Sequence, residues 1–161
     1  MDNPLRRPEQ ILAYRTLDRV LGPKPWTVWS VGPTDSIMAA LQIMDERNIG
    51  FVVVLDKDKL VGVLSERDCT RRVLLARKAA DTTPVGDVMA REVVTADLTH
   101  TFADCLRLMH RHGIRHLPVT DGGKVVAVVS VRDLMSEAVD HHAKIIATLE
   151  RERLTIFTST A

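Results

Sequence analysis

Apolar and polar positions alternate with two periods along this chain, and the whole pattern occurs twice. Ile37, Ala40, Leu41 and Met44 fall at the i, i+3, i+4, i+7 spacing of a helix with one apolar stripe, and Phe102, Cys105, Leu106 and Met109 repeat it. Asn48 and Gly113, residues that tolerate the left-handed backbone, stand where each helix should stop. The β-rich runs 51–55 and 117–120 follow, ending in the turn formers Asp56-Lys57-Asp58 and Asp121-Gly122-Gly123, with 60–64 and 125–129 as their hairpin partners. Ser65 and Ser130 then open a second helix in each copy. A short strand before the first helix, over 27–31 and 93–95, completes two units of order β-α-β-β-α.

Shifting the sequence by 65 residues lays 31–68 on 96–133 without a gap, and 12 of the 38 pairs are identical; chance supplies about two or three. Two long copies, rather than many short ones, imply a pseudo-twofold pair whose halves bury one face against each other. The predicted fold is α/β (α+β), two such repeats packed as one module. Outside them, 8–21 reads as an N-terminal helix, 134–153 as a long C-terminal helix with 154–161 a frayed tail, and 76–84 as a linker. The segments expected are 1–25 (N-terminal helical extension), 26–80 and 81–140 (the repeats) and 141–161 (C-terminal helix and tail). Ala39, Ile43, Ala103 and Leu108 add apolar surface beside the helix stripes, more than one small core covers, so a disc-like homodimer is expected.

With 161 residues and a net charge of +1 from 22 Lys plus Arg against 21 Asp plus Glu, the chain has neither the length of a multidomain enzyme nor a general electrostatic grip on nucleic acid or anionic membrane. No apolar run is long enough to span a bilayer and no signal segment opens the sequence, so a cytoplasmic location is expected. Cys69 and Cys105 form no C-x-x-C pair and read as reduced, packed thiols. All six histidines lie in the second half without a zinc pattern, and no phosphate-binding glycine loop or nucleophile elbow is present, so catalysis has no visible support. The mixed-charge stretch Glu66 to Arg72 with Arg77 and Lys78, and the run Glu150-Arg151-Glu152-Arg153, read as solvated helix faces.

The identities concentrate in Ser65-Glu66-Arg67-Asp68 and Ser130-Val131-Arg132-Asp133. Ser-x-x-Asp before a helix is first a capping arrangement. Its recurrence with an Arg that opposes the helix dipole asks for more than capping. A carboxylate can accept from both hydroxyls of a ribose, while a Ser hydroxyl, helix-start amides and an Arg can hold phosphate. The junctions around Ile49 and Ile114 can supply an apolar slot for a base.

Over roughly 26–139 the chain resembles paired cystathionine-β-synthase (CBS) domains, the Bateman module. The resemblance is carried most specifically by 61–68 (Val-Gly-Val-Leu-Ser-Glu-Arg-Asp) and 112–119 (His-Gly-Ile-Arg-His-Leu-Pro-Val). It implies a non-catalytic sensor that binds adenosine-containing ligands in two clefts between the repeats. AMP comes first, with NAD, ATP, ADP and S-adenosylmethionine as alternatives, and the module signals to an unidentified regulated protein. In one cleft it implies Asp133 on the ribose, Ser130 and Arg132 toward ribose and phosphate, the base near Trp29, Ile49 and Gly50, and Arg115 and His116 toward the phosphate. In the other it implies Asp68, Ser65 and Arg67, with the base near Val94, Ile114 and Arg115. Ala127 stands where the pattern has the glycine found at Gly62, so the two clefts are expected to differ in affinity. The alternatives are an interaction protein whose repeats mainly build a dimer around vestigial sites, and a nucleic-acid module, which the near-zero charge and 4% aromatic content disfavour.

Overall fold

Each repeat folds into a three-stranded sheet, and in both the strands pair in chain order. The structure, a computed structural model, describes residues 12–22 and 26–159, with side chains through 151. In the first repeat β1 (Ser30–Val31) runs parallel to β2 (Phe51–Asp56), which pairs antiparallel with β3 (Lys59–Ser65). In the second, β4 (Ala96–Asp97), β5 (His116–Asp121) and β6 (Lys124–Ser130) repeat that arrangement. A helix bridges each parallel pair, as a parallel crossover requires: α2 (Ile37–Arg47) and α4 (Phe102–His112). The Ser36 side chain accepts from the Ala39 amide at the start of α2, and Thr101 with Asp104 forms a capping box on α4. Asn48 (φ 52°) and Gly113 (φ 62°) end them in the left-handed conformation. Both hairpins turn on two residues of positive φ, Lys57-Asp58 and Gly122-Gly123.

Three expectations are corrected. The strands before the helices are two residues long, and in the second repeat pairing begins at Ala96, after the expected 93–95. The cause is Pro118. In the first repeat Val53 N–H donates to the Trp29 carbonyl at 3.2 Å, but Pro118, its counterpart 65 residues on, has no N–H to give Val94. Nor does an unbroken helix cover 8–21. A 3-10 turn (Leu12–Tyr14) and the short α1 (Leu17–Leu21) are separated by the extended Thr16, while 8–11 lie outside the described residues. Finally, the second helix of repeat two and the C-terminal helix are one element, α5 (Val131–Ser159), so helix replaces the frayed tail as far as 159. The sequence from 131 onward holds no Gly or Pro to stop it.

The matching helix of the first repeat is short. α3 (Glu66–Cys69) passes into a π-helical turn (Thr70–Leu74) in which Leu75 N–H reaches the Thr70 carbonyl at 2.9 Å, and Thr70 Oγ1 occupies the Glu66 carbonyl at 3.0 Å.

The repeats are interlocked by the segments that lead into them. Ile37 N–H donates to Thr83 O (3.0 Å) and Val85 N–H to Asp35 O (2.8 Å); one repeat later, Phe102 N–H donates to Arg15 O (2.8 Å) and Leu17 N–H to His100 O (2.9 Å). The segment before repeat two therefore laces onto repeat one, and the segment before repeat one laces onto repeat two. Val85, Val88 and Met89 complete the first core, and Leu12 and Leu17 the second. The helix after each hairpin holds the incoming segment: Arg72 Nη1 donates to Val88 O at 2.7 Å, and Glu137, its counterpart, accepts from Arg15 Nη1 at 2.8 Å.

Candidate functional site

The two hairpins meet where the rings of Phe51 and His116 stack, 4.8 Å between centroids and 11° from parallel. These residues are 65 apart in sequence, so they are equivalents of one another and touch across the pseudo-twofold axis. Beside the stack opens a cavity of about 270 Å³, close to the small end of the range for ligand pockets, about 300–1,000 Å³.

One wall of the cavity is the β3–α3 junction, with Ser65, Arg67 and Asp68. The opposite wall comes from the second repeat: Val94 before β4, and Ile114, Arg115 and His116 after α4. Gly50 closes the end beside Phe51. The set named for the Asp68 cleft, including Arg115, which the sequence reading named for both clefts, thus lines one space, joined there by Gly50 and His116, which it placed with Asp133. Ser130, Arg132 and Asp133 lie at the β6–α5 junction and do not line it. Trp29 and Ile49 pack against the first core, and the Arg47 guanidinium lies 4.2 Å over the Trp29 ring.

Both acidic residues are capping residues. Asp68 Oδ2 accepts from Ser65 N–H (3.1 Å) and Oγ–H (2.5 Å), and Asp133 Oδ2 accepts from Ser130 N–H (2.8 Å) and Oγ–H (2.6 Å). Each uses one oxygen for the cap, which fixes the carboxylate in place. The second oxygen of Asp68 has only the Arg72 Nε at 3.9 Å, a long contact that leaves it able to accept from a ligand. The Val94 carbonyl is the other acceptor on offer: with Pro118 opposite, it takes no hydrogen bond among the described residues, whereas its counterpart on Trp29 is used by Val53.

Burial, reinforced by the Arg115 charge and opposed by Asp133, pushes the His116 imidazole below its ordinary value of 6.5, so the ring is neutral at pH 7. Burial pushes the Cys69 and Cys105 thiols up to about 11, which leaves both protonated and unreactive. Gly62 does not face the cavity. A Cβ there would stand 2.5 Å from Met89 Sδ and 3.1 Å from Ala90 O, so the glycine answers to core packing; Ala127 is buried in the second core.

Sequence reasoning missed Glu66, Glu92, Phe51 and Pro118 as cavity residues. The internal alignment pairs Pro118 with Val53 and Phe51 with His116, unlike residues in both cases; Glu66 and Glu92 are not repeated, so repetition does not point to them.

Among known proteins, the sequence profile of the CBS domain matches residues 26–75 and 85–140. The crystal structure of the CBS domain protein NE2398 is similar at 41% identity and a TM-score of 0.74, covering 78% of this chain and 98% of that one. The CBS domain protein PAE2072 from Pyrobaculum aerophilum, complexed with AMP, is similar at 26% identity and a TM-score of 0.65 over 73% of this chain and 88% of its own. The CBS domain pair of MJ0100, in complex with 5′-methylthioadenosine and S-adenosyl-L-methionine, is similar at 25% identity and a TM-score of 0.65, with 76% and 94% covered.

Proposed function

The chain belongs to the CBS domain family, and from that premise we propose that it is a non-catalytic regulatory module that takes an adenosine-containing ligand in the cavity at Asp68. The observation that carries this reading is the pairing, across one cavity, of a carboxylate pre-set by its own capping box with a main-chain acceptor that Pro118 leaves without a strand partner. The free oxygen of Asp68 suits the two hydroxyls of a ribose, and the Val94 carbonyl suits the amino group of an adenine held between Ile114 and neighbouring apolar side chains. AMP is the simplest ligand with both halves, and the AMP and S-adenosylmethionine complexes of related proteins support the class.

A homodimer fits the same reading. Leu74 and Val139, 65 residues apart and therefore equivalent, are 71% and 68% exposed, and a second copy presents the matching pair. Ile43 and Leu108, assigned to that surface from the sequence, pack instead against their own cores. The partner that reads the bound state is a regulated protein of unknown identity. No helix among the described residues is long and apolar enough to cross a membrane.

Thermal unfolding against a panel of adenosine ligands tests the proposal. A ligand at 100 times its Kd raises stability by about 2.7 kcal/mol, and replacing AMP with 2′-deoxy-AMP weakens binding about tenfold, since a charge-assisted hydrogen bond is lost. Equal affinity for the two removes Asp68 from ribose recognition.

A further inference from the structure

The charges lining the cavity do not match those of a phosphate site. Glu66, Asp68 and Glu92 face Arg67 and Arg115, three carboxylates against two guanidiniums. His116 adds no positive charge at pH 7, because burial keeps it neutral. Glu66 lies against the Gly50 end of the cavity, its Oε2 3.0 Å from where a Cβ on Gly50 would stand. Neither Glu66 nor Glu92 makes an ion pair among the described residues. Their equivalents in the other repeat are Val131 and Thr27, so both carboxylates belong to this cleft alone and neither is a by-product of the repeated motif.

We propose that the Asp68 cleft selects an adenosine ligand whose 5′ substituent carries a positive charge, and disfavours one that ends in phosphates, with Glu66 and Glu92 as the discriminating residues. This rests on the adenosine reading above and ranks the ligands within it. Ribose held at Asp68 sets the 5′ carbon beside the α3 N-terminus, where Glu66 is the first helical residue. A phosphate there meets two unpaired carboxylates as well as the arginines, whereas a cationic group pairs with the carboxylates; a zwitterionic extension also offers an anion to Arg67 and Arg115. Specificity then comes from repelling the wrong ligand as much as from attracting the right one.

Calorimetric titration with four ligands that share the nucleoside tests this: AMP (anionic), 5′-methylthioadenosine (neutral), S-adenosylhomocysteine (zwitterionic, no sulfonium) and S-adenosylmethionine (zwitterionic with a sulfonium cation). The expected result is S-adenosylmethionine binding about tenfold tighter than AMP, with S-adenosylhomocysteine between them. In the Glu66→Gln, Glu92→Gln double variant the ratio should fall to within about threefold while 5′-methylthioadenosine binds as before. AMP binding as tightly as S-adenosylmethionine, or a ratio unmoved by the double variant, overturns the charge selection and leaves the adenosine reading standing. Binding of none of the four, with no thermal shift, overturns both.

Discussion

The two repeats share a backbone and differ in what they offer a ligand. Both have a bulge at the same rung of the hairpin, between Val54 and Leu55 and between Val119 and Thr120, and both use a capping box at the hairpin exit. The differences gather around the axis: Val53 against Pro118, Glu66 against Val131, Gly50 against Arg115, Phe51 against His116. Duplication thus preserves the scaffold, and the sites diverge beside the axis, even at the fully buried Val53, whose counterpart Pro118 removes a single backbone N–H. The lesson is that pseudo-symmetry predicts the scaffold of the second cleft from the first and does not predict its chemistry.

The interlock offers the largest way to probe that symmetry. Leu17 and Val85 are equivalent crossover residues, each fully buried in the core of the repeat that its segment does not lead into. Leu17→Ala should cost about 2–5 kcal/mol in chemical denaturation, with Val85→Ala a smaller loss because a smaller buried side chain is truncated. If 12–22 were a dispensable extension, Leu17→Ala would cost less than 0.5 kcal/mol, the size expected for a surface change.

A smaller effect separates the repeats at the hairpin glycine. Gly62→Ala drives a methyl into Met89 and the Ala90 carbonyl, and should destabilise by about 1–3 kcal/mol as overpacking. Ala127→Gly, the reverse change in the second repeat, should cost about 1 kcal/mol from lost strand order and a lost buried methyl. Equal and negligible effects on urea midpoints would show that the two positions are interchangeable and that Met89 does not dictate the glycine.

Much of this was legible in the sequence because local rules and the repeat agreed. The α2 and α4 stripes, the left-handed stops at Asn48 and Gly113 and both turns follow from residue type and spacing, whereas the caps at Ser36 and Thr101 were found only in the structure. The strand start at Ala96 was not read correctly, although its cause, Pro118, is visible: the missing N–H matters only once its partner is known. The crossover of 12–22 onto the second repeat is a tertiary choice that no local pattern encodes. The cavity residues were half legible, since repetition points to Ser65, Arg67 and Asp68 and, by the same logic, hides Glu66 and Glu92, which are not repeated.

Asp68 and Asp133 test whether the clefts are equivalent. Asp→Asn at either position should cost about 0.5–1 kcal/mol of stability, as an Asn still caps. Asp68→Asn should in addition lose about tenfold in adenosine-ligand affinity, about 1.4 kcal/mol, while Asp133→Asn leaves binding in the Asp68 cavity unchanged. Calorimetry showing that both variants, or neither, impair binding in that cavity would break the assignment of the ribose to Asp68.

The smallest expected effect is a pH dependence lodged in the one ring pair that spans the repeats among the described residues. His116 is half-buried against Phe51, and its pKa is lowered below 6.5 first by burial and then by Arg115, with Asp133 pulling the other way. The unfolded chain therefore binds the proton more readily than the folded one. The stabilisation from keeping the ring neutral is complete above about pH 6.5 and is lost as pH falls through the lower folded-state value. Phe51 carries no charge and does not titrate, so a His116→Phe variant keeps two stacked rings and removes the proton. Thermal unfolding followed from pH 7.5 to 5 should show wild-type stability declining more steeply than that of His116→Phe below pH 6.5, with parallel curves above it. Asp97 and Asp104, whose carboxyls are held down at about 2 by hydrogen bonds from Thr99 and Thr101, protonate far below this window and affect both proteins alike. Parallel curves throughout would show that the imidazole at the axis is solvated well enough to titrate as it does in the unfolded chain, and that the Phe51 stack does not exclude water from it.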